Sequence, residues 1–166
     1  MPAVTIVVPC FNGGKFLDAL LASIHAQTYR DFEVVIVDDG STEAATIEKL
    51  AALPSGIRVI RQVNKGLSAA RNTGFAAAHS DFILPLDCDD TLEPNHLAET
   101  VPALTAAPAN IGFVYTDERL VGDVSGISEH HFNRYDQLFV NRMSYCLLMR
   151  KEVWRAVGGY DEAMRD

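Results

Sequence analysis

Residues 4–38, VTIVVPCFNGGKFLDALLASIHAQTYRDFEVVIVD, read as strand, helix and strand in one unit. Val4 to Val8 is apolar and β-branched without alternation, the pattern of a strand buried on both faces. Gly13-Gly14 sets the start of the helix that follows. From Lys15 to Gln27, residues Phe16, Leu17, Leu20, Leu21 and Ile24 recur at helical spacing, giving one apolar stripe suited to pack on a sheet. Phe32 to Val37 then repeats the buried-strand pattern. Two such strands joined through a helix pair in parallel, which places the chain in the α/β class.

The alternation continues outward. Further strands are predicted at Ile57 to Arg61 and Phe82 to Leu86. A helix beginning after Ser41 or Thr42, either of which can cap it, runs to about Leu53 before Pro54 and Gly56. Another covers Leu67 to His79, rich in Ala and carrying Gly74, which lets it lie close to the sheet. Pro94 opens a helix with the stripe Leu97, Val101 and Leu104, and Pro102 is expected to kink it or end it early. Ile111 to Thr116 reads as a strand and Gly122 to Ser128 as a loop. A short helix over Arg134 to Val140, a strand over Tyr145 to Met149 and a helix over Lys151 to Val157 follow, the last stopped by Gly158-Gly159. A single domain of 166 residues is predicted.

Composition narrows the function. The chain carries 22 acidic and 14 basic residues, a net charge of -8, so its field repels nucleic acid and anionic lipid. A phosphate-bearing ligand would need a local cation, either a metal or a few placed Arg and Lys residues. Cys10, Cys88 and Cys146 are odd in number and widely spaced, which suggests neither a disulfide framework nor a zinc site and favours a reducing compartment. MPAVTIVVPCFN has no basic segment and its apolar run stops at Pro9, so it reads as a strand rather than a signal peptide. No stretch approaches the roughly 20 apolar residues that span a bilayer. A cytoplasmic location is expected, with any membrane association peripheral to the inner face.

In open α/β sheets ligands bind beyond the carboxyl ends of the strands, which directs attention to Pro9 to Asn12, Asp38 to Ser41, Asn64 to Asn72 and Asp87 to Asp90. Asp87-Cys88-Asp89-Asp90 puts three carboxylates in four positions after a buried strand. Their mutual repulsion is costly without a cation, and oxygen ligands suit Mg²⁺ or Mn²⁺ sharing its remaining positions with substrate phosphates. Taken alone, the motif fits equally an acidic turn capping the helix at Pro94. Asp38-Asp39-Gly40-Ser41 ends the second strand with carboxylates able to accept a base N–H or ribose hydroxyls. By itself it is ordinary turn chemistry. Arg71, one helical turn after Leu67, offers a planar fork for phosphate oxygens, or a salt bridge to Asp38 or Asp39.

Five ordered blocks together are more specific than any one of these: VTIVVPCFNGGKFLDALLASIHAQTY, FEVVIVDDGST, NKGLSAARNTG, FILPLDCDDTLEPNHL and LLMRKEVWRAVGGYDE. They resemble the family 2 glycosyltransferases over essentially the whole chain. The resemblance implies a GT-A, Rossmann-like fold, a mostly parallel sheet flanked by helices. Residues 1–117 would form the nucleotide-binding half and residues 118–166 the start of an incomplete acceptor-side half. It implies a nucleoside-diphosphate sugar donor, with uridine as the carrier, and a sugar, glycan or lipid-linked acceptor. Asp38 or Asp39 would contact the base, Pro9 would line the uridine pocket, Arg71 would lie near base or diphosphate, Asp87 would face ribose or metal, and Asp89 would ligate the metal.

The implied reaction is inverting, with a carboxylate base removing the acceptor proton. In the family that base follows the segment matching GGYDE, so Asp166 is either its first residue or falls just short of it. The chain is therefore expected to be a fragment that binds donor with weak or no transfer. Asp161 and Glu162 are assigned no catalytic part. His130-His131 reads as a solvated loop, since adjacent histidines point apart and no spacing marks them as ligands. Trp154 and Tyr160 read as packing around Gly158-Gly159, with a place beside the acceptor open to Tyr160. A non-catalytic nucleotide-sugar-binding module is the rival reading. A nucleotidyltransferase is disfavoured because Cys10-Phe11-Asn12-Gly13-Gly14 carries no following basic cluster.

Overall fold

The computed structural model describes residues 1–133, 135–140 and 143–164. In chain order the elements are β1 (Val4–Cys10), α1 (Leu17–His25), β2 (Phe32–Asp38), α2 (Ala44–Ala51), β3 (Ile57–Arg61), α3 (Leu67–Ala77) and β4 (Phe82–Pro85). They continue with α4 (His96–Ala106), β5 (Phe113–Tyr115), β6 (Glu118–Leu120), β7 (Gly126–Ser128), β8 (Leu147–Arg150) and α5 (Lys151–Ala156). Six strands form one sheet in the order β3-β2-β1-β4-β8-β5, while β6 and β7 form a separate hairpin. The first four strands of that order are mutually parallel and β8 runs antiparallel between β4 and β5. The predicted α/β class and mostly parallel sheet hold.

β1 lies at the centre, and all seven of its residues are buried. Its even-numbered residues Val4, Ile6 and Val8 pack with Leu17, Leu20 and Ile24 of α1 and Leu97, Val101 and Leu104 of α4. Burial of each such side chain is worth about 1.5–3 kcal/mol. Val7, on the other face, packs against Phe75 of α3, with Ile83, Trp154 and Tyr160 in the same cluster. A Cβ added at Gly74 would come within 2.2 Å of Val7 Cγ1, so the glycine is what lets α3 press onto the sheet.

Several predicted boundaries move. β1 extends to Cys10, so Pro9 lies inside a strand, opposite Val37. Val7 O accepts from Leu86 N, so Pro9, two residues on, faces the β4 side where pairing has ended at Val7 and Pro85. Its missing N–H therefore removes no rung of the ladder. Pro102 does not end α4, which runs to Ala106. Burial of Leu97, Val101 and Leu104 outweighs the lost backbone bond, and the Thr100 and Thr105 hydroxyls donate to the carbonyls of His96 and Val101. Neither Ser41 nor Thr42 caps α2. Asn12, held at φ 52°, reaches across and accepts from the N–H groups of both Thr42 and Glu43 through Oδ1.

Part of the predicted loop at 122–128 is strand β7, paired with β6. The helix expected over Arg134 to Val140 shrinks to one 3-10 turn, Asp136–Leu138, and Arg134 lies outside the described residues. Gly158 and Gly159, each at φ 84°, end α5 as expected.

Candidate functional site

The carboxyl ends of β1 and β2 and the start of α3 border an open cavity of about 790 Å³. Its wall takes Pro9, Cys10 and Phe11 from the β1 end and Asp39 from the β2 end. Residues 64–68, Ala70 and Arg71 line the α3 side, and Met143, Ser144, Tyr145, Leu147, Tyr160 and Met164 close it from beyond residue 117. The cavity thus takes residues from both before and after residue 117.

Asp39 is buried, and its carboxylate organises the loop entering α3. Oδ1 accepts from Gln62 Nε2 at 2.7 Å and Lys65 N at 2.9 Å, and Oδ2 accepts from Gly66 N at 2.8 Å. Gln62 is itself fixed by the Thr73 hydroxyl, which donates to its Oε1 at 2.6 Å. Three donors on one carboxylate pin the backbone that faces the cavity. Asp38, one residue earlier, turns away from it. Its Oδ1 accepts from Ser41 N at 2.8 Å, and its Oδ2 sits 3.5 Å from Arg61 Nε. The adjacent acids therefore divide, with Asp39 on the cavity and Asp38 closing the turn.

Arg71 is almost fully buried on the cavity wall. The alternative salt bridge to Asp38 or Asp39 does not form, because the guanidinium spans to the β4 side and donates to Asp87 Oδ1 at 2.6 Å. Its Nε is buried without a hydrogen-bond partner. A buried donor left unmet in this way costs about 1–3 kcal/mol. The ring of Tyr160 lies against the guanidinium, 5.5 Å from Arg71 Cζ.

Asp87 joins the cavity through Arg71, whereas Asp89 and Asp90 are exposed just beyond it. Asp90 N donates to Asp87 O at 3.1 Å, closing the acidic segment into a turn. Partial burial, with the charges of Asp87, Asp89 and Glu118, pushes the Asp90 carboxyl up to about 6. The Cys146 thiol is pushed up by burial and by Asp90, Asp87 and Glu118. Negative potential therefore accumulates here beyond what one Arg offsets. Among the described residues no three His, Cys, Asp or Glu side chains form a group able to hold a metal ion. The donor set suits a hard divalent cation that takes one or two protein carboxylates and completes its shell with phosphate and water.

Cys10 lines the wall, and the buried Cys88 Sγ lies 3.6 Å from Cys10 Sγ and 3.5 Å from Gly13 O, either of which can take its one S–H. The thiol donated from Cys88 lowers the pKa of Cys10. His130, expected in solvent, is largely buried with Nε2 3.1 Å from Glu118 Oε2, while His131 is exposed as expected. The β6–β7 hairpin supplies Glu118 and thereby shelters His130. Asp161 accepts from Ala163 N, and Glu162 from Asn72 Nδ2. Asp166 lies outside the described residues. Lys65 and Asn72 lie in the segment 64–72 and Phe11 in the segment 9–12, both marked in the sequence as following a strand, but none of the three was given a role there; Gln62 and Tyr145 were not singled out.

The family model described as "Glycosyl transferase family 2" matches residues 5–156. The chain is 35% identical over 171 residues to the O-antigen biosynthesis protein RfbC of Myxococcus xanthus, covering 97% of this chain and 13% of that protein. Its fold is similar to that of S. aureus TarS 1-349 in complex with UDP, at TM-score 0.74 and 20% identity, over 98% of this chain and 51% of TarS 1-349. It is similar also to the mannosyltransferase PcManGT of Pyrobaculum calidifontis in complex with GDP-Man and Mn²⁺, at TM-score 0.72 and 23% identity, over 97% and 48% of the two chains. The chain thus spans about half or less of each of these proteins, and the likeness to the two structures establishes the shared fold. No helix among the described residues is long and apolar enough to cross a membrane.

Proposed function

The chain belongs to glycosyl transferase family 2, and on that premise we propose that its cavity binds the nucleoside diphosphate of a sugar donor for transfer of the sugar to an acceptor hydroxyl. The observation that carries this is the Arg71 guanidinium, buried on the wall, paired on one side with Asp87 and left with an unmet Nε donor. A pyrophosphate supplies oxygens in the plane of such a fork. The UDP and GDP-Man in the TarS and PcManGT complexes support a donor of this class.

Asp39 and the backbone it pins at Lys65 and Gly66 form the base side of the site, with Pro9 and Phe11 forming its apolar wall. Asp38 acts one step back, holding the Ser41 turn that follows Asp39. Asp87 and Asp89 are the residues that would hold Mg²⁺ or Mn²⁺, and the ion would offset charge on the departing diphosphate. Arg71 shares that task by donating hydrogen bonds to oxygens that gain charge as the sugar leaves. Transfer is inverting, a carboxylate base taking the acceptor proton, and Asp166 is the residue of this chain nearest that role. Residues 1–117 supply most of the donor site and residues 118–166 open the acceptor side. The acceptor is a sugar, glycan or lipid-linked chain met at the cytoplasmic face of a membrane.

Calorimetry with UDP-, GDP- and dTDP-sugars, with and without Mn²⁺, tests the reading. One nucleotide class should bind, and Mn²⁺ should tighten it in the native protein but not in Asp89→Ala. Absence of binding by all three would refute it.

A further inference from the structure

Asn72 sits one residue after Arg71, on the side of α3 that faces the Gly158-Gly159 turn. Its amide is satisfied at every position. Oδ1 accepts from Trp154 Nε1 at 3.0 Å and Tyr160 N at 2.9 Å, and Nδ2 donates to Tyr160 O and Glu162 Oε1, both at 2.9 Å. Two acceptor sites and two donor hydrogens are the full capacity of an Asn side chain. Gly159 makes the approach possible: it lies at φ 84°, and a Cβ there would fall 2.8 Å from Asn72 Oδ1. The turn is thus shaped to receive this one amide.

The turn carries Tyr160, which the amide grips through both backbone N–H and C=O. From that position the ring contacts Phe75 at a centroid separation of 5.8 Å and presents itself to Arg71 Cζ at 5.5 Å, lining the cavity. Arg71 and Asn72 are consecutive on α3, so the helix holds the guanidinium while its neighbour holds the ring that backs it. A long Arg side chain otherwise loses rotamer freedom when it meets a ligand, and a fixed aromatic face removes part of that cost before binding.

We propose that Asn72 is a positioning residue for the donor site: it latches the 158–162 turn so that Tyr160 holds the Arg71 guanidinium in its diphosphate-binding orientation. The proposal rests on the donor-binding reading above. The latch reaches the site through Tyr160 and Arg71, so its effect falls on the phosphates.

The test compares native protein with Asn72→Ala, Tyr160→Leu and Tyr160→Phe. Binding of UDP or GDP, whichever the native protein takes, and of the matching nucleoside without phosphate is followed by NMR titration, with thermal melts alongside. Asn72→Ala and Tyr160→Leu should weaken the nucleoside diphosphate about fivefold to tenfold, the size of a lost cation–π contact, and weaken the nucleoside by less than twofold. Tyr160→Phe should recover most of the loss, because it keeps the ring face. Equal weakening of nucleoside and diphosphate, or a diphosphate affinity equal to native in Tyr160→Leu, overturns the proposal and leaves donor binding standing. Failure of the native protein to bind either nucleotide removes both. If Asn72→Ala does not fold, the Leu and Phe variants decide alone, since both leave the backbone bonds to Asn72 in place.

Discussion

At the residue scale the site depends on how a few charged side chains are divided. Asp38 and Asp39 are indistinguishable as sequence, because each is an acid at a strand end. Only the three-dimensional course of the Gln62 to Gly66 loop decides that Asp39 faces the cavity. Arg71 stood out in the sequence as a candidate phosphate ligand, but its ion-pair partner did not, since Asp87 lies 16 residues away, after β4. Arg71→Ala should weaken nucleoside diphosphate binding by about 1.5–3 kcal/mol, the range for hydrogen bonds to charged groups, while calorimetry and a native-like melt show the fold retained. Arg71→Lys should not restore it, because an ammonium lacks the planar fork. Unchanged affinity in Arg71→Ala would remove the residue from the site. Asp39→Asn puts an amide against three donors and should lower stability by about 1–3 kcal/mol in urea denaturation; a variant as stable as native would show that the loop does not depend on that carboxylate.

At the element scale, strands and helices were read largely from periodicity, and the errors fall where tertiary contacts override local preference. Pro102 stays inside α4 because three buried apolar residues hold the helix on the sheet. The turn entering α2 is held by Asn12 from a different loop, which accepts from the N–H groups of Thr42 and Glu43, a long-range contact that no local motif signals. Gly74 was read correctly as a contact glycine. Gly74→Ala improves helix propensity by about 1 kcal/mol but drives a methyl into Val7, so the denaturation midpoint should fall, by a net of about 1–2 kcal/mol. A rise in midpoint would show that α3 can shift without cost.

The β1–β2 pair offers a pH test. Burial raises the Glu33 pKa, but hydrogen bonds from His79 N–H and the Thr5 hydroxyl, with the His79 side chain, outweigh it and hold the carboxyl below its usual range. A carboxyl lowered in the folded state adds stability above the unfolded value, about 4.3, and loses it as pH falls through the lowered one. Stability measured between pH 6 and pH 3 should therefore fall less steeply in Glu33→Gln than in native protein. Parallel curves would exclude the carboxylate as a contributor.

At the scale of the whole molecule, the α/β architecture and family membership were visible in five ordered blocks, whereas the cavity was visible only as separate strand ends. The part least legible is the wall formed by Met143, Ser144, Tyr145, Leu147, Tyr160 and Met164, which reaches the strand ends from late in the chain. Its residues carry no periodicity or charge pattern that marks them. The net charge of -8 and the acidic turn at Asp87 to Asp90 both oppose a pyrophosphate unless cations intervene. That tension gives the account its central claim, that Arg71 on one side and a divalent ion at Asp87 and Asp89 on the other hold the diphosphate between them. A crystal structure of the chain grown with UDP and Mn²⁺ tests it most directly. The predicted density has the pyrophosphate within hydrogen-bond reach of Arg71 and Mn²⁺ bridging it to Asp89; UDP held elsewhere, or Mn²⁺ bound with neither Asp87 nor Asp89 as a ligand, would contradict it.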